Sequence, residues 1–502
     1  MSQNHPVLVK GPLTIFPTKP KIYIYRSKPR QYSGARNNLQ NIQFLYIESK
    51  QPFKNSLITH PVIKLGYSDK VLLAATENMG GSSWPTASEV DRVKRSAASL
   101  AGCDVDEVRV VASPYRICPL GAHIDHQGGT VTAMTVNKGI LLGFIPSGDS
   151  KVVLQSAQFK GAVQFRIDNN LCKEDGEVHE ECGWGRLARG AVFALKSAGK
   201  SLYQGIIGFV DGSGPFDSSG ISSSAAVGVA YLLAFESAND LNISPSENIQ
   251  LDRMIENGFL GLKNGILDQS AILLSQKKCL TCIDCKSKDY KFILPPISNG
   301  NSNNEELESY KILLAFSGVK HALSSKPGYN SRVAECQEAA TILLEASRRT
   351  SAEPLLCNVA PEDYAVHKEK LKDNLARRAE HYYSENSRVL AGLKAWSCGN
   401  LEDFGRLMSE SGLSSIVNYE CGCEPMIQLY EILLKAPGVF GARFSGAGFR
   451  GCCVALVDSK FAEKAASYVF EEYKKVQPDL AAQLEEETAV LICESGDRAR
   501  LI

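Results

Sequence analysis

Three glycine- or serine-rich segments carry residue types from which phosphate chemistry can be built: Ser113–Gly129, SPYRICPLGAHIDHQGG; Gly212–Ala226, GSGPFDSSGISSSAA; and Gly441–Val454, GARFSGAGFRGCCV. Each alone is compatible with an ordinary turn. The second has the clearest physics. A flexible loop runs into a predicted helix whose first turn is Ser222, Ser223 and Ser224. Helix N-termini leave amide hydrogens unpaired, and the dipole there favours anions. Gly220 lets the backbone approach a ligand closely, and serine hydroxyls can cap, bind phosphate or ligate magnesium. The segment therefore predicts a triphosphate cradle. It is neither a Walker loop, for no Gly-Lys-Ser/Thr follows the glycines, nor a dinucleotide fingerprint, for the glycine spacing fails and no acid lies about 20 residues on.

The elements that must position these loops are legible in outline. Thr86–Leu100 reads as a helix capped by Thr86 or Ser88. Glu107–Ala112, Val131–Val136, Lys151–Gln158 and Gly205–Val210 read as strands. Ser222–Phe235 is apolar on almost every side, hence a buried helix behind the serine turn, and another helix is predicted near Glu247–Leu260. The last third is mostly helical, with strands at Val439–Phe444 and Cys452–Val457. This is an α+β chain of two packed domains. Cys279, Cys282 and Cys285 form a C-x-x-C-x-x-C run, but no fourth ligand is near and KCLTCIDCK reads as a strand rather than a metal site.

Composition narrows the function classes. The chain has 502 residues, 44% hydrophobic and 22% charged, with 55 basic and 55 acidic side chains. This is an ordinary balance for a chain with sizeable cores, and it makes no case for nucleic acid or an anionic membrane as partner. No apolar run reaches the roughly 18 residues of a membrane span. Fifteen scattered cysteines without a signal-peptide core point to reduced thiols in a cytoplasmic protein. Residues 1–82 stand apart, with 11 Lys or Arg against three acids, a net of +8. This extension, disordered or not native, reads either as a plastid transit segment or as sequence upstream of a start at Met79.

In this order and at these separations, the three segments resemble the motifs of the GHMP kinase superfamily. The first is similar to the galactokinase signature A-P-G-R-V-N-L-I-G-E-H-T-D-Y-N-G-G, matching at Arg116, Gly121, His123, Asp125, Gly128 and Gly129. NGILDQ, Asn264–Gln269, is similar to C-G-I-M-D-Q, and Gly318–Cys336 resembles H-S-L-A-S-S-E-Y with His321 and Tyr329 in register after one insertion. The likeness runs from Ser83 to Ile502 and is closest to the galacturonokinases of plants. It implies a two-domain fold: a ribosomal-S5-like α/β domain over residues 83–335 and a ferredoxin-like α+β domain over 336–502. It also implies ATP as co-substrate with Mg2+, a small sugar acid as partner, and by default a monomer.

Residue roles follow from the same resemblance. Asp268 matches the base beside the anomeric hydroxyl. Arg116 matches the arginine that pairs with it and faces the transferring phosphoryl group. Ser224 and Glu256 match the magnesium ligands, both hard oxygens. Ser219, Gly220, Ile221, Ser222, Ser223 and Ser224 would contact phosphates, and Asp125 and Tyr329 the sugar. Gly446 and Ala447, with Gly448, would form a turn closing on the site. His123 reads as a buried residue orienting its loop rather than as a base.

One departure bears on the substrate. Galactokinases carry Glu where this chain has Ala122, and use it to bind the carbon-6 hydroxyl. In galacturonate that carbon is a carboxylate. Two unit charges about 4 Å apart, at an effective dielectric near 20, repel by about 4 kcal/mol, whereas a neutral hydrogen bond contributes only about 0.5–1.5 kcal/mol. Ala122 thus predicts phosphorylation of the anomeric hydroxyl of D-galacturonate, feeding UDP-galacturonate salvage. A galactose or glucuronate kinase is the nearest rival, then a silent sugar sensor, then a nucleotide-dependent decarboxylase. Tyr115, Cys118, His126 and Arg450 are further departures from the family pattern, as are Phe216, Ser218 and Ser219.

Overall fold

The computed structural model describes residues 22–25, 44–47, 84–169, 183–213, 223–294, 309–319 and 328–502. The chain forms two units, Met1–Met79 and Gly80–Ile502. In the first, β1 (Ile22–Tyr25) and β2 (Phe44–Ile47) pair antiparallel; the remainder of the basic extension lies outside the described residues.

The second unit opens with α1 (Ala87–Ala101), whose start and stop are written in the sequence. The Thr86 hydroxyl accepts from Glu89 N, the Glu89 carboxylate reciprocates on Thr86 N, and Gly102 ends the helix at φ 69°. The strands β3 (Arg109–Ile117), β4 (Thr130–Pro146), β5 (Lys151–Ser156), β6 (Ala162–Arg166) and β7 (Ile206–Gly212) follow, with α2 (Gly183–Ser197) between β6 and β7. Together with the late strand β14 (Arg500–Leu501) they order as β14-β3-β4-β7-β5-β6. All neighbours are antiparallel except β5 and β7. The seventeen-residue β4 also pairs through its first residues with β8 (Leu280–Asp284), which pairs with β9 (Asp289–Ile293). Thus the cysteine run lies at a strand, with Cys279 and Cys282 buried.

Behind this sheet sits α3 (Ser223–Ala238), buried on nearly every side as its composition demands. It packs against α2, α4 (Pro245–Arg253), α5 (Leu267–Leu274), β3 and β4. The helix expected over Glu247–Leu260 is not uniform: α4 passes into a π-helical turn at Met254–Phe259. β3 also runs five residues past the expected Ala112. Pro114 interrupts its ladder, but the pairing register shifts between Pro114 and Arg116, and such a bulge accommodates a residue without an N–H.

The second sheet orders β11-β12-β10-β13, from β10 (Tyr310–Phe316), β11 (Val439–Phe444), β12 (Cys452–Asp458) and β13 (Val490–Cys493). Its β10 precedes the 335/336 division expected from the sequence, and β14 returns the chain to the first sheet, so each sheet draws on both sides of that division. The longer helices after β10 are α6 (Tyr329–Ala346), α7 (Pro361–His367), α8 (Asp373–Ser397), α9 (Leu401–Val417), α10 (Glu424–Lys435) and α11 (Ala462–Val476). Among the described residues no helix is long and apolar enough to cross a membrane.

Candidate active site

Arg116 is the penultimate residue of β3 and is buried; Asp268 is in the first turn of α5. The fold brings them together across 152 residues, Arg116 Nε donating to Asp268 Oδ1 at 2.7 Å. Arg116 Nη1 is buried and has no hydrogen-bond partner among the described residues. A guanidinium N–H left so costs desolvation energy unless a ligand accepts it.

Ser224 lies in the first turn of α3 and donates from Oγ to Glu256 Oε1 at 2.8 Å. Glu256 stands on the π-helical turn, a local widening common at functional sites. Its other oxygen accepts from the Asn264 amide. The charges of Arg116 and Asp268 both act on Glu256, so the two pairs share one electrostatic neighbourhood. Ser223 begins α3, whereas Ser219, Gly220, Ile221 and Ser222 lie outside the described residues.

Asp125 joins from the turn after β3. Its Oδ2 accepts from Leu267 N at 3.3 Å, and a Cβ on Gly265 would stand 2.4 Å from that oxygen; only glycine lets NGILDQ pass so close. Burial, with the Asp268 charge next, pushes Asp125 up to about 6 and Glu256 up to about 7. One helical turn before Glu256, Asp252 is wholly buried, neither of its oxygens has a hydrogen-bond partner among the described residues, and burial raises it well above the carboxylate range. Asp268 holds the Arg116 guanidinium directly, and Asp125 and Glu256 feel its charge. Ser224 Oγ and Glu256 Oε1 are both hard oxygens, the donor type that Mg2+ takes.

Around the first motif, His123 is buried with φ 62°, stacked on Tyr419 with ring centroids 4.4 Å apart, its Nε2 3.5 Å from Cys421 Sγ. Burial, then His381, holds it well below the usual imidazole range. Tyr329 meets His126 edge-on at 5.9 Å, and His126 Nε2 lies 3.1 Å from Tyr419 Oη. Burial and the Asp125 charge, then Asp268, raise Tyr329, which places it by the same acids. Ala122 is buried. Gly446 and Ala447 form the turn between β11 and β12, closed by Ser445 N donating to Cys452 O at 3.0 Å.

Sequence reasoning had assigned no role to Asn264, Asp252 or Tyr419. The four-residue step from Asp252 to Glu256 was a usable sign of a shared helix face; no local pattern marks Tyr419.

The two-sheet α+β frame carries the Arg116–Asp268 pair in the neighbourhood of the serine-led tip of α3, and its class is that of the GHMP-type kinases. Residues 186–276 match the family "GHMP kinases N terminal domain" and residues 389–475 match "GHMP kinases C terminal". The chain belongs to the GHMP kinase family and is a sugar kinase. It is 61% identical over 431 residues to a galacturonokinase of Arabidopsis thaliana, covering 84% of this chain and all of that one. A galactokinase of Lactococcus lactis subsp. lactis is 33% identical over 375 residues, 74% of this chain and 88% of that one. The solved structure of Lactococcus lactis galactokinase with galactose superposes with a TM-score of 0.70 at 28% identity, covering 81% of this chain and 98% of that one. The fold is shared further with Methanococcus jannaschii mevalonate kinase, at TM-score 0.52 and 16% identity over 77% of this chain and 98% of that one.

Proposed function

We propose that the chain transfers the γ-phosphoryl group of ATP to the anomeric hydroxyl of D-galacturonate, giving 1-phospho-α-D-galacturonate and ADP. The observation that carries the substrate assignment is Ala122, a methyl where galactokinases carry a carboxylate, in the loop that also holds Asp125. The likeness to the Arabidopsis galacturonokinase supports the same choice.

Asp268 accepts the proton of the anomeric hydroxyl as its oxygen bonds to the γ-phosphorus and the bond to the β,γ-bridging oxygen breaks. Arg116 holds the Asp268 carboxylate through Nε and offers Nη1 to the phosphoryl oxygens. The tip of α3 receives the phosphates on Ser223, Ser224 and the free amides of its first turn. Ser219, Gly220, Ile221 and Ser222 would add phosphate contacts, and Gly446 and Ala447 close over the site. Ser224 and Glu256 would hold Mg2+, which when bound neutralises phosphate charge. Asp125 and Tyr329 bind the sugar hydroxyls, and His123 sets the shape of their loop. The described cysteines are thiols, which fits the reducing cytoplasm as the compartment.

Turnover of galacturonate, galactose and glucuronate, compared side by side with ATP and Mg2+, tests the assignment. Galacturonate should be fastest. Ala122→Glu should lower kcat/KM for galacturonate by roughly three decades, the equivalent of about 4 kcal/mol of like-charge repulsion. Faster turnover of galactose by the native enzyme would overturn the substrate, and no turnover of any sugar would favour a sensor.

A further inference from the structure

The loop carrying Ala122, His123 and Asp125 is gripped by a stripe along α8, from the other end of the chain. Glu385, wholly buried, accepts a hydrogen bond from Gly121 N at 2.8 Å. His381, one turn earlier, lies with Nε2 3.0 Å from Ala122 O. Asn386 Oδ1 accepts from Thr130 N at 3.1 Å. Two turns beyond Glu385, a Cβ on Gly392 would stand 2.1 Å from Leu120 Cδ1, so α8 lies directly on the loop. Residues 381, 385 and 392 keep the spacing of four and seven that puts them on one helical face, and they meet residues 122, 121 and 120 in turn.

The chemistry of the two grips is fixed by their surroundings. A carbonyl only accepts, so His381 Nε2 carries the hydrogen, and Nδ1 accepts from Ser414 Oγ at 2.9 Å. Burial pushes His381 down to about 4, which keeps it in this neutral form. Glu385 is held by Arg388 Nε at 2.7 Å, by Ser411 Oγ at 2.5 Å and by Arg443 Nη1 at 3.7 Å. Arg443 lies on β11, the strand that leads into the Gly446–Ala447 turn. One buried cluster thereby ties the first motif to the third.

We propose that His381 and Glu385 are positioning residues for sugar recognition, fixing the backbone at Gly121 and Ala122 and so the placement of Ala122 and Asp125 against the sugar. The proposal rests on the reading that this loop binds the sugar. It does not depend on which sugar is preferred.

The pair His381→Gln and His381→Asn separates positioning from mere stability. A Gln amide nitrogen reaches the place of Nε2 and restores the donor to Ala122. An Asn side chain is too short to do so, while its oxygen still meets Ser414. KM for sugar, KM for ATP and Tm are measured on each, using whichever of galacturonate or galactose the native enzyme turns over faster. His381→Asn should raise the sugar KM by about tenfold to hundredfold, the cost of a buried carbonyl left unpaired, with the ATP KM within about threefold. His381→Gln should stay within about threefold on both. A sugar KM for His381→Asn within about twofold of native, or equal losses in the two variants, would overturn the proposal. If His381→Asn does not fold, Ser414→Ala, which frees Nδ1 and the Asn418 amide but leaves the contact with Ala122 O, should raise the sugar KM by about threefold to tenfold; a lowered Tm with that KM unchanged would equally overturn it. Because the assay uses the faster sugar, failure of the galacturonate assignment in the sugar panel leaves this result readable.

Discussion

The buried Arg116 and the partly exposed Asp268 form an ion pair of 2.7 Å. Removing Asp268 would leave the buried guanidinium without its charged partner. Asp268→Asn tests the pair at this scale. It preserves the size of the side chain and an acceptor for Arg116 Nε but cannot take the hydroxyl proton. It should lower the single-turnover rate by about 100- to 10,000-fold, the usual worth of a positioned base, while the dissociation constant for ATP changes by less than about threefold. A variant turning over at the native rate would remove Asp268 from the chemistry. Arg116, Ser224 and Asp268 could be proposed from the sequence because each sits in a motif with fixed neighbours, whereas Glu256 stands outside those motifs and was offered by the family resemblance alone. Asp252 and Tyr419 were not proposed, because what makes them notable is burial beside a partner, and burial of a single polar residue leaves no local trace.

Elements set the angles at which these side chains meet. α3 announced itself by an apolar surface all the way round, a property of the chain alone. The π-helical turn carrying Glu256 did not, since one extra residue per turn leaves helical propensities unchanged. Nor did the length of β3, whose Pro114 reads as a stop until its bulge is seen. The approach of NGILDQ to the first motif is tightest at Gly265, where a methyl would lie 2.4 Å from Asp125 Oδ2. Gly265→Ala should therefore displace the Asp125 carboxyl, raising the sugar KM at least about tenfold and costing about 1–3 kcal/mol of stability from overpacking. Kinetics together with chemical denaturation check it; an unchanged sugar KM would separate Asp125 from sugar binding.

The whole molecule buries acids outside the site as well. Glu236, on α3 near its end, is buried, and one of its oxygens has no partner among the described residues. Desolvation pushes it up to about 8 from an ordinary 4.5. Between these values the folded chain holds a proton that the unfolded chain has released. Its contribution to stability is thus full below the unfolded value and is lost as pH rises through the folded one, at up to about 1.4 kcal/mol per pH unit. Glu236→Gln should flatten the fall in unfolding free energy between pH 5 and pH 8 and be the more stable protein at pH 8. Equal slopes for the two proteins, followed by urea denaturation across that range, would show that Glu236 does not titrate in this window.

By itself the sequence determined the local and the periodic: a helix capped at Thr86 or Ser88, the buried α3, the serine-led turn and the order of three motifs. These depend on neighbours a few residues apart, which a linear reading can see. Only the tertiary structure decided that α8 lays His381 and Glu385 on the backbone of Gly121 and Ala122, more than 250 residues away. Such contacts come from the packing of two sheets and their helices into one body. The free energy that selects them is spread over the whole core and is written at no single position.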